Sequence, residues 1–185
     1  MFLARSDPGA PRTAGGARSL GRSAVKLKPG LSHVAADGSL TMVDVGAKAA
    51  TARSARAVAR VRMAAVAAEA LRAATLAKGD AFAAAQLAGI MAAKRTDELI
   101  PLAHPLAVGA VEVSFGWDDA TTLRIETRAS AFGPTGVEME ALVAATIAAL
   151  TIYDMCKALD KGIVVESVRL IEKTGGKSGD WRPAQ

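Results

Sequence analysis

Asp154 and Lys157 stand three residues apart in Tyr153-Asp154-Met155-Cys156-Lys157, a spacing that on a helix projects both side chains from neighbouring positions of one face. A carboxylate beside an ammonium can move protons or hold phosphate. By itself the spacing is more often an ordinary surface ion pair. Lys78 lies in Lys78-Gly79-Asp80, just ahead of an expected helix start, where unpaired backbone N–H groups and the positive end of the dipole favour anions. There it completes a phosphate site or is an exposed lysine beside a capped helix. His104, in Pro101-Leu102-Ala103-His104-Pro105, sits in a stiff loop that holds an imidazole in a fixed direction for phosphate binding or proton transfer, or leaves it as a hydrogen-bonded loop residue.

Glu138 and Glu140 occupy the first turns of a long expected helix, where the dipole favours acids without any catalytic reason. Fourteen residues separate Glu140 from Asp154, about 21 Å along a continuous helix at roughly 1.5 Å per residue. One compact substrate could hardly touch both within a single subunit. A reaction that uses both needs an elongated site or one assembled from two chains. Lys173-Thr174-Gly175-Gly176-Lys177-Ser178 shares the end of a phosphate-binding P-loop, but Ile171 stands where the first glycine belongs, and too little chain follows Ser178 to begin a helix. It is not a Walker motif. A glycine-rich strand end carrying Lys173 and Lys177 can still fold over a phosphate, or remain a flexible solvated tail.

The elements that must position these residues follow from periodicity and punctuation. Leu40–Val45 and Val58–Met63 read as short strands joined by a polar, Ala-rich connection. Ala64–Ala77 reads as a helix, and a second runs from an Asp80 N-cap to about Glu98, stopped by the approach to Pro101 and Pro105. Leu99–Leu106 is a shaped loop. Val108–Phe115 and Thr121–Thr127 form a hairpin across Gly116, Asp118 and Asp119. Apolar residues at helical spacing predict a helix from about Gly136 to Leu159, followed by a last strand at Ile163–Glu172 and a flexible Gly-rich loop. Hairpin strands interrupted by helices predict an α+β fold: a ferredoxin-like antiparallel sheet with helices packed on one face.

The chain has 185 residues, 51% hydrophobic but only 4% aromatic, which suits one core built from aliphatic side chains and closely approaching helices. The net charge of +5 suits a polyanionic partner, and much of it falls in residues 1–30, read as a basic disordered extension ahead of a single catalytic domain over 31–185. An Arg-rich, acid-poor start is also compatible with an organelle presequence, but no clear amphipathic helix is visible there. One cysteine and two histidines leave no internal disulfide and no Cys/His cluster for zinc or iron–sulfur, and no uncharged apolar run approaches a membrane span. A soluble cytoplasmic protein is expected.

The ordered set of Met42-Val43-Asp44-Val45, Lys78-Gly79-Asp80, Ala93-Lys94-Arg95-Thr96, Leu99-Ile100-Pro101-Leu102, His104-Pro105, Thr135 to Leu142, Leu150 to Ala158 and Gly175 to Asp180 resembles the cyclic pyranopterin monophosphate synthase family of molybdenum cofactor biosynthesis. The resemblance runs from about Leu31 to Trp181. It implies a lyase converting 3′,8-cyclo-7,8-dihydroguanosine 5′-triphosphate into cyclic pyranopterin monophosphate and diphosphate. It places the catalytic groups on Asp154, Lys157 and Lys78, and substrate contacts on Leu102, Ala103, His104, Met139 and Glu140; Lys173 and Lys177 join the substrate contacts from the reading of the glycine-rich strand end. It also implies a homohexamer, a trimer of dimers with active sites at dimer interfaces. No cofactor or protein-bound metal is required, although Mg2+ can accompany the substrate phosphates. The chain departs from the family at Ala103, where a cysteine is usual, and at Pro134, where a lysine is common. A non-catalytic nucleotide-sensing module is the alternative. It needs the phosphate-binding lysines but not the acid/base aspartate. A specific nucleic-acid binder is disfavoured because the folded region lacks an aromatic stacking stripe.

Overall fold

The computed structural model describes residues 37–177 and 179–184. The expected basic extension over residues 1–30, and His33 after it, lie outside the described residues. Contacts divide the chain after Leu40. The described end of the first unit holds a turn in which the Asp37 carboxylate accepts from the Ser39 backbone N–H and hydroxyl at 2.9 and 2.6 Å.

The second unit carries β1 (Thr51–Arg62), α1 (Ala65–Arg72), α2 (Ala81–Ala93), α3 (Thr96–Leu99), β2 (Val108–Trp117), β3 (Thr122–Gly133), α4 (Glu138–Cys156) and β4 (Val164–Thr174). Its strands form one antiparallel sheet in the order β2-β3-β1-β4, with α2 and α4 packed on one face. The β2–β3 hairpin and the interleaving of β1 and β4 make this the ferredoxin-like arrangement predicted from the sequence.

β1 is central and its two faces are chemically distinct. Ala55, Ala57, Ala59 and Val61 are buried against the helices. On the other face Arg56 reaches Glu126 on β3 at 2.9 Å and Glu172 on β4 at 3.2 Å, and Arg60 reaches Asp118 in the β2–β3 turn at 2.6 Å, so the charges of β1 are paired across the sheet.

Several boundaries differ from expectation: α1 ends at Arg72 and not at Ala77, and β3 runs on to Gly133 beyond Thr127. β1 begins at Thr51, inside the stretch read as a connection, because pairing with β3 from Thr51, joined by β4 from Ser54, imposes the extended form on Ala, Ser and Arg residues of low intrinsic strand preference. Thr41–Val45 of the expected Leu40–Val45 strand joins no ladder. Its polar groups are taken elsewhere: the Asp44 carboxylate accepts from Gly46 N–H at 2.8 Å, and the Val45 carbonyl accepts from Lys48 N–H at 3.0 Å. The helix expected from Asp80 to Glu98 breaks at Lys94 and Arg95, where the buried Thr96 hydroxyl donates to the Ala93 carbonyl at 3.0 Å and the chain restarts as α3.

The tail beyond Glu172 is also corrected. β4 continues to Thr174, and Lys173 and Trp181 exchange backbone hydrogen bonds of 3.0 and 2.9 Å, so the glycine-rich segment folds back on the strand instead of trailing as a loose loop. Gly175 has φ +87°, and a Cβ there would collide with the Ala52 carbonyl oxygen.

α4 is long and apolar enough to cross a membrane by length and composition, yet here it is the core helix, with Ala149 and Ile152 fully buried. It meets α2 along small residues. A Cβ on Gly89 would stand 2.9 Å from the Ala144 carbonyl oxygen and 3.3 Å from Val113 Cγ2. Gly89→Leu is therefore expected to force α2 off α4 and lower stability by about 1–3 kcal/mol, read as a lower urea midpoint at unchanged slope. An unaltered midpoint would contradict this close approach.

Candidate active site

Two groups of polar side chains gather toward opposite ends of α4. At its C-terminal end, Asp154 is held by two lysines. Lys157 follows one turn later as the helix C-cap, and its Nζ lies 2.7 Å from Asp154 Oδ1. Lys78, 76 residues away in the chain, places Nζ 2.8 Å from Asp154 Oδ2 and 2.7 Å from the Asp154 carbonyl oxygen. That carbonyl is one of the last of α4, where intrahelical partners run out and the negative dipole end attracts a cation. Lys78 thus serves the end of α4 and not the start of α2. The α2 N-terminus is already capped by Asp80, whose carboxylate accepts from Ala83 N–H at 3.0 Å.

The Lys157 hydrogen bond, then the Lys78 hydrogen bond, pull the Asp154 carboxyl down to about 2, and the Asp154 carboxylate in turn raises Lys157. All three side chains are substantially exposed, so water screens their contribution to stability. The signs are nonetheless defined. What Asp154 contributes is present above the ordinary carboxylate value of about 4 and is lost as pH falls toward 2; what Lys157 contributes holds below its ordinary value and is lost as pH rises through the raised one. A carbon-detected carboxylate titration should place the Asp154 midpoint near pH 2 and move it upward in Lys78→Met. A midpoint in the ordinary range in the parent would contradict the paired geometry.

At the other end, Glu140 is 3% exposed, and burial pushes its carboxyl above the ordinary range, with the charges of Glu138 and Asp97 adding to the rise. Glu138 pairs with Lys173 at 3.0 Å, so Lys173 ties β4 to the start of α4 and its ammonium is already engaged. Lys177 is exposed on the glycine-rich turn, and Met139 is 37% exposed. Arg53 donates through Nε to the Gly133 carbonyl and through Nη2 to the Pro134 carbonyl, both at 3.0 Å. Leu102, Ala103 and His104 are half-buried, and His104 Nε2 lies 2.7 Å from the Val43 carbonyl oxygen.

The structure therefore unites Asp154, Lys157 and Lys78, and keeps Glu140 some 14 helical residues away on a continuous α4. Two contacts of the second group escaped the sequence reading. Arg53 lies in a stretch that looks like a connection, and Glu138 is accounted for by the helix dipole alone. Their partners are 80 and 35 residues distant, which no local pattern reveals. Among the described residues, no group of three or more His, Cys, Asp or Glu is placed to hold a metal ion.

The profile of the MoaC family matches residues 42–176, which takes in both ends of α4. The chain belongs to the MoaC family. A cyclic pyranopterin monophosphate synthase from Novosphingobium aromaticivorans is 52% identical over 155 residues, covering 84% of this chain and 98% of that relative. The match to the MoaC family begins at Met42, so the segment that carries the Val43 carbonyl belongs to the matched region although it stands outside the sheet.

Proposed function

We propose that the chain is a cyclic pyranopterin monophosphate synthase, taking the cyclised GTP derivative to cyclic pyranopterin monophosphate with release of diphosphate. The observation that carries this reading is a carboxylate gripped by two lysines in a MoaC-family chain, similar over 84% of its length to a synthase of that name.

In the free enzyme both Asp154 oxygens are occupied, and a carboxyl near 2 is a weak base at neutral pH. A triphosphate competes for the same two ammonium groups. Each lysine drawn onto phosphate removes a cause of the depression, so Asp154 becomes more basic as substrate seats, when a proton must move during ring rearrangement. Lys78 and Lys157 then lie against the phosphates, where they stabilise charge as the cyclic phosphate closes: one P–O bond forms, another breaks, and diphosphate leaves. Lys177 adds a third cation from the glycine-rich turn. Mg2+ carried on the substrate phosphates is compatible with this scheme, which draws its proton transfers from Asp154 and Lys157.

Leu102, Ala103, His104, Met139 and Glu140 form the part of the site that holds the nucleoside. About 21 Å of helix between Glu140 and Asp154 supports an active site shared between two chains. A homohexamer built as a trimer of dimers supplies such sites, and exposed Leu87, Met91 and Leu150 on the helical layer are apolar surface suited to subunit contact.

The test is turnover of freshly prepared cyclised GTP derivative by the purified full chain, with pyranopterin and diphosphate followed together. Equal appearance of both products is expected. Tight binding without product would replace the enzyme with a nucleotide-sensing module.

A further inference from the structure

His104 is anchored at one ring nitrogen, and in the neutral ring the anchor determines what the other can recognise. Nε2 lies 2.7 Å from the Val43 carbonyl oxygen in a half-buried contact. A carbonyl oxygen only accepts, so the proton between them sits on Nε2. In the neutral ring the second nitrogen, Nδ1, then carries a lone pair and no hydrogen.

Both sides of the contact are held by local structure. On the Val43 side, the Asp44 carboxylate closes a turn onto Gly46 N–H at 2.8 Å and Val45 accepts from Lys48 N–H at 3.0 Å. On the His104 side, Ala103 N–H donates to the Ile100 carbonyl at 2.9 Å, and Pro101 and Pro105 restrict the backbone around it. A phosphate oxygen, which carries only lone pairs, would be repelled by an unprotonated Nδ1, whereas a hydroxyl or ring N–H would donate to it.

We propose that the Val43 carbonyl is a positioning group that fixes His104 in its Nε2–H form, so that Nδ1 accepts a hydrogen bond from a hydroxyl or ring N–H of the cyclised nucleoside and does not bind its phosphates. The inference rests on the assignment of His104 to the substrate site made above. It divides the labour of the site: the lysines take the anion, and His104 reads the nucleoside.

The full chain contains two histidines, His33 and His104, so 15N-histidine labelling gives a spectrum of two rings, with His104 assigned by its loss in His104→Gln. Long-range proton–nitrogen correlation should show hydrogen on Nε2 and none on Nδ1. Inorganic triphosphate, which carries the anion without the nucleoside donors, should leave the Nδ1 resonance in place, while the cyclised GTP derivative shifts it.

Two variants separate tether from recognition. His104→Gln puts an amide N–H near the place of Nε2 and removes the Nδ1 acceptor; KM should rise about fivefold to tenfold, the range of one neutral hydrogen bond, at unchanged Tm. His104→Asn puts an amide oxygen near the place of Nδ1 and gives up the tether; Tm should fall and KM should rise less. A parent that turns over no cyclised GTP derivative overturns the functional reading. An active parent with hydrogen on Nδ1, with an Nδ1 shift produced equally by triphosphate, or with the Gln variant keeping the parent's KM overturns this inference alone.

Discussion

Asp154→Asn is expected to lower kcat by about 10²- to 10⁴-fold, the range of a lost general acid–base group, while leaving KM equal to the parent's or lower. The amide keeps the shape of the carboxylate but neither its charge nor its basicity. Lys78 and Lys157, which in the parent each lie within 2.8 Å of a carboxylate oxygen, would then be released to the substrate phosphates. Binding should therefore hold or tighten as turnover fails, a combination that a misfolded variant would not produce. Because Asp154 is 56% exposed, the fold should tolerate the change and Tm should move little. Parallel measurement of kcat, KM and the thermal midpoint checks all three. A variant with the parent's kcat would remove Asp154 from the chemistry and with it the main support for the proposed mechanism.

The second large effect is recovery of activity from two inactive chains. Glu140→Gln is expected to be impaired through the nucleoside end of the site, Asp154→Asn through the phosphate end, and the two residues lie at opposite ends of α4. If each active site takes Glu140 from one chain and Asp154 from its partner, a mixed dimer contains one site with both residues intact and one lacking both. Random assembly of equal amounts should then restore about a quarter of the parent's sites, starting from two preparations that are each nearly inactive. Co-expression at equal levels, with separate affinity tags to confirm that both chains are present in equal amounts, provides the sample. Activity equal to the sum of the separate variants would mean that each chain builds its site alone, and an elongated single-chain site would take the place of the shared one.

The chemistry of this protein was legible in the sequence to the extent that it is local. Asp154 and Lys157 lie within one helical turn, so the i, i+3 spacing alone announces their 2.7 Å ion pair. Asp80 announces the start of α2 because capping needs only the next three residues. The β2–β3 hairpin and the extent of α4 follow from alternation, from turn residues and from apolar spacing, and together they imply the α+β class.

What remained hidden depends on residues that meet only after the chain has folded. Thr51–Ala57 carries little strand preference and becomes part of β1 because β3 pairs with all of it and β4 joins on the other side from Ser54. Lys78 reads as a cation at the head of α2, yet its ammonium rests on Asp154 at the far end of another helix. Lys173 reads as a free phosphate ligand and is instead paired with Glu138, while Arg53 finds its carbonyl partners beyond β3. His104 belongs to both accounts: the prolines around it announce a rigid loop, but only the folded chain brings the Val43 carbonyl to Nε2. Local sequence thus determined which elements form and which reactive types they carry, because spacing and capping act within a few residues. Tertiary structure decided which charges neutralise one another and which atoms remain free to meet a substrate, because those pairings are made across tens of residues by the packing of the sheet and α4.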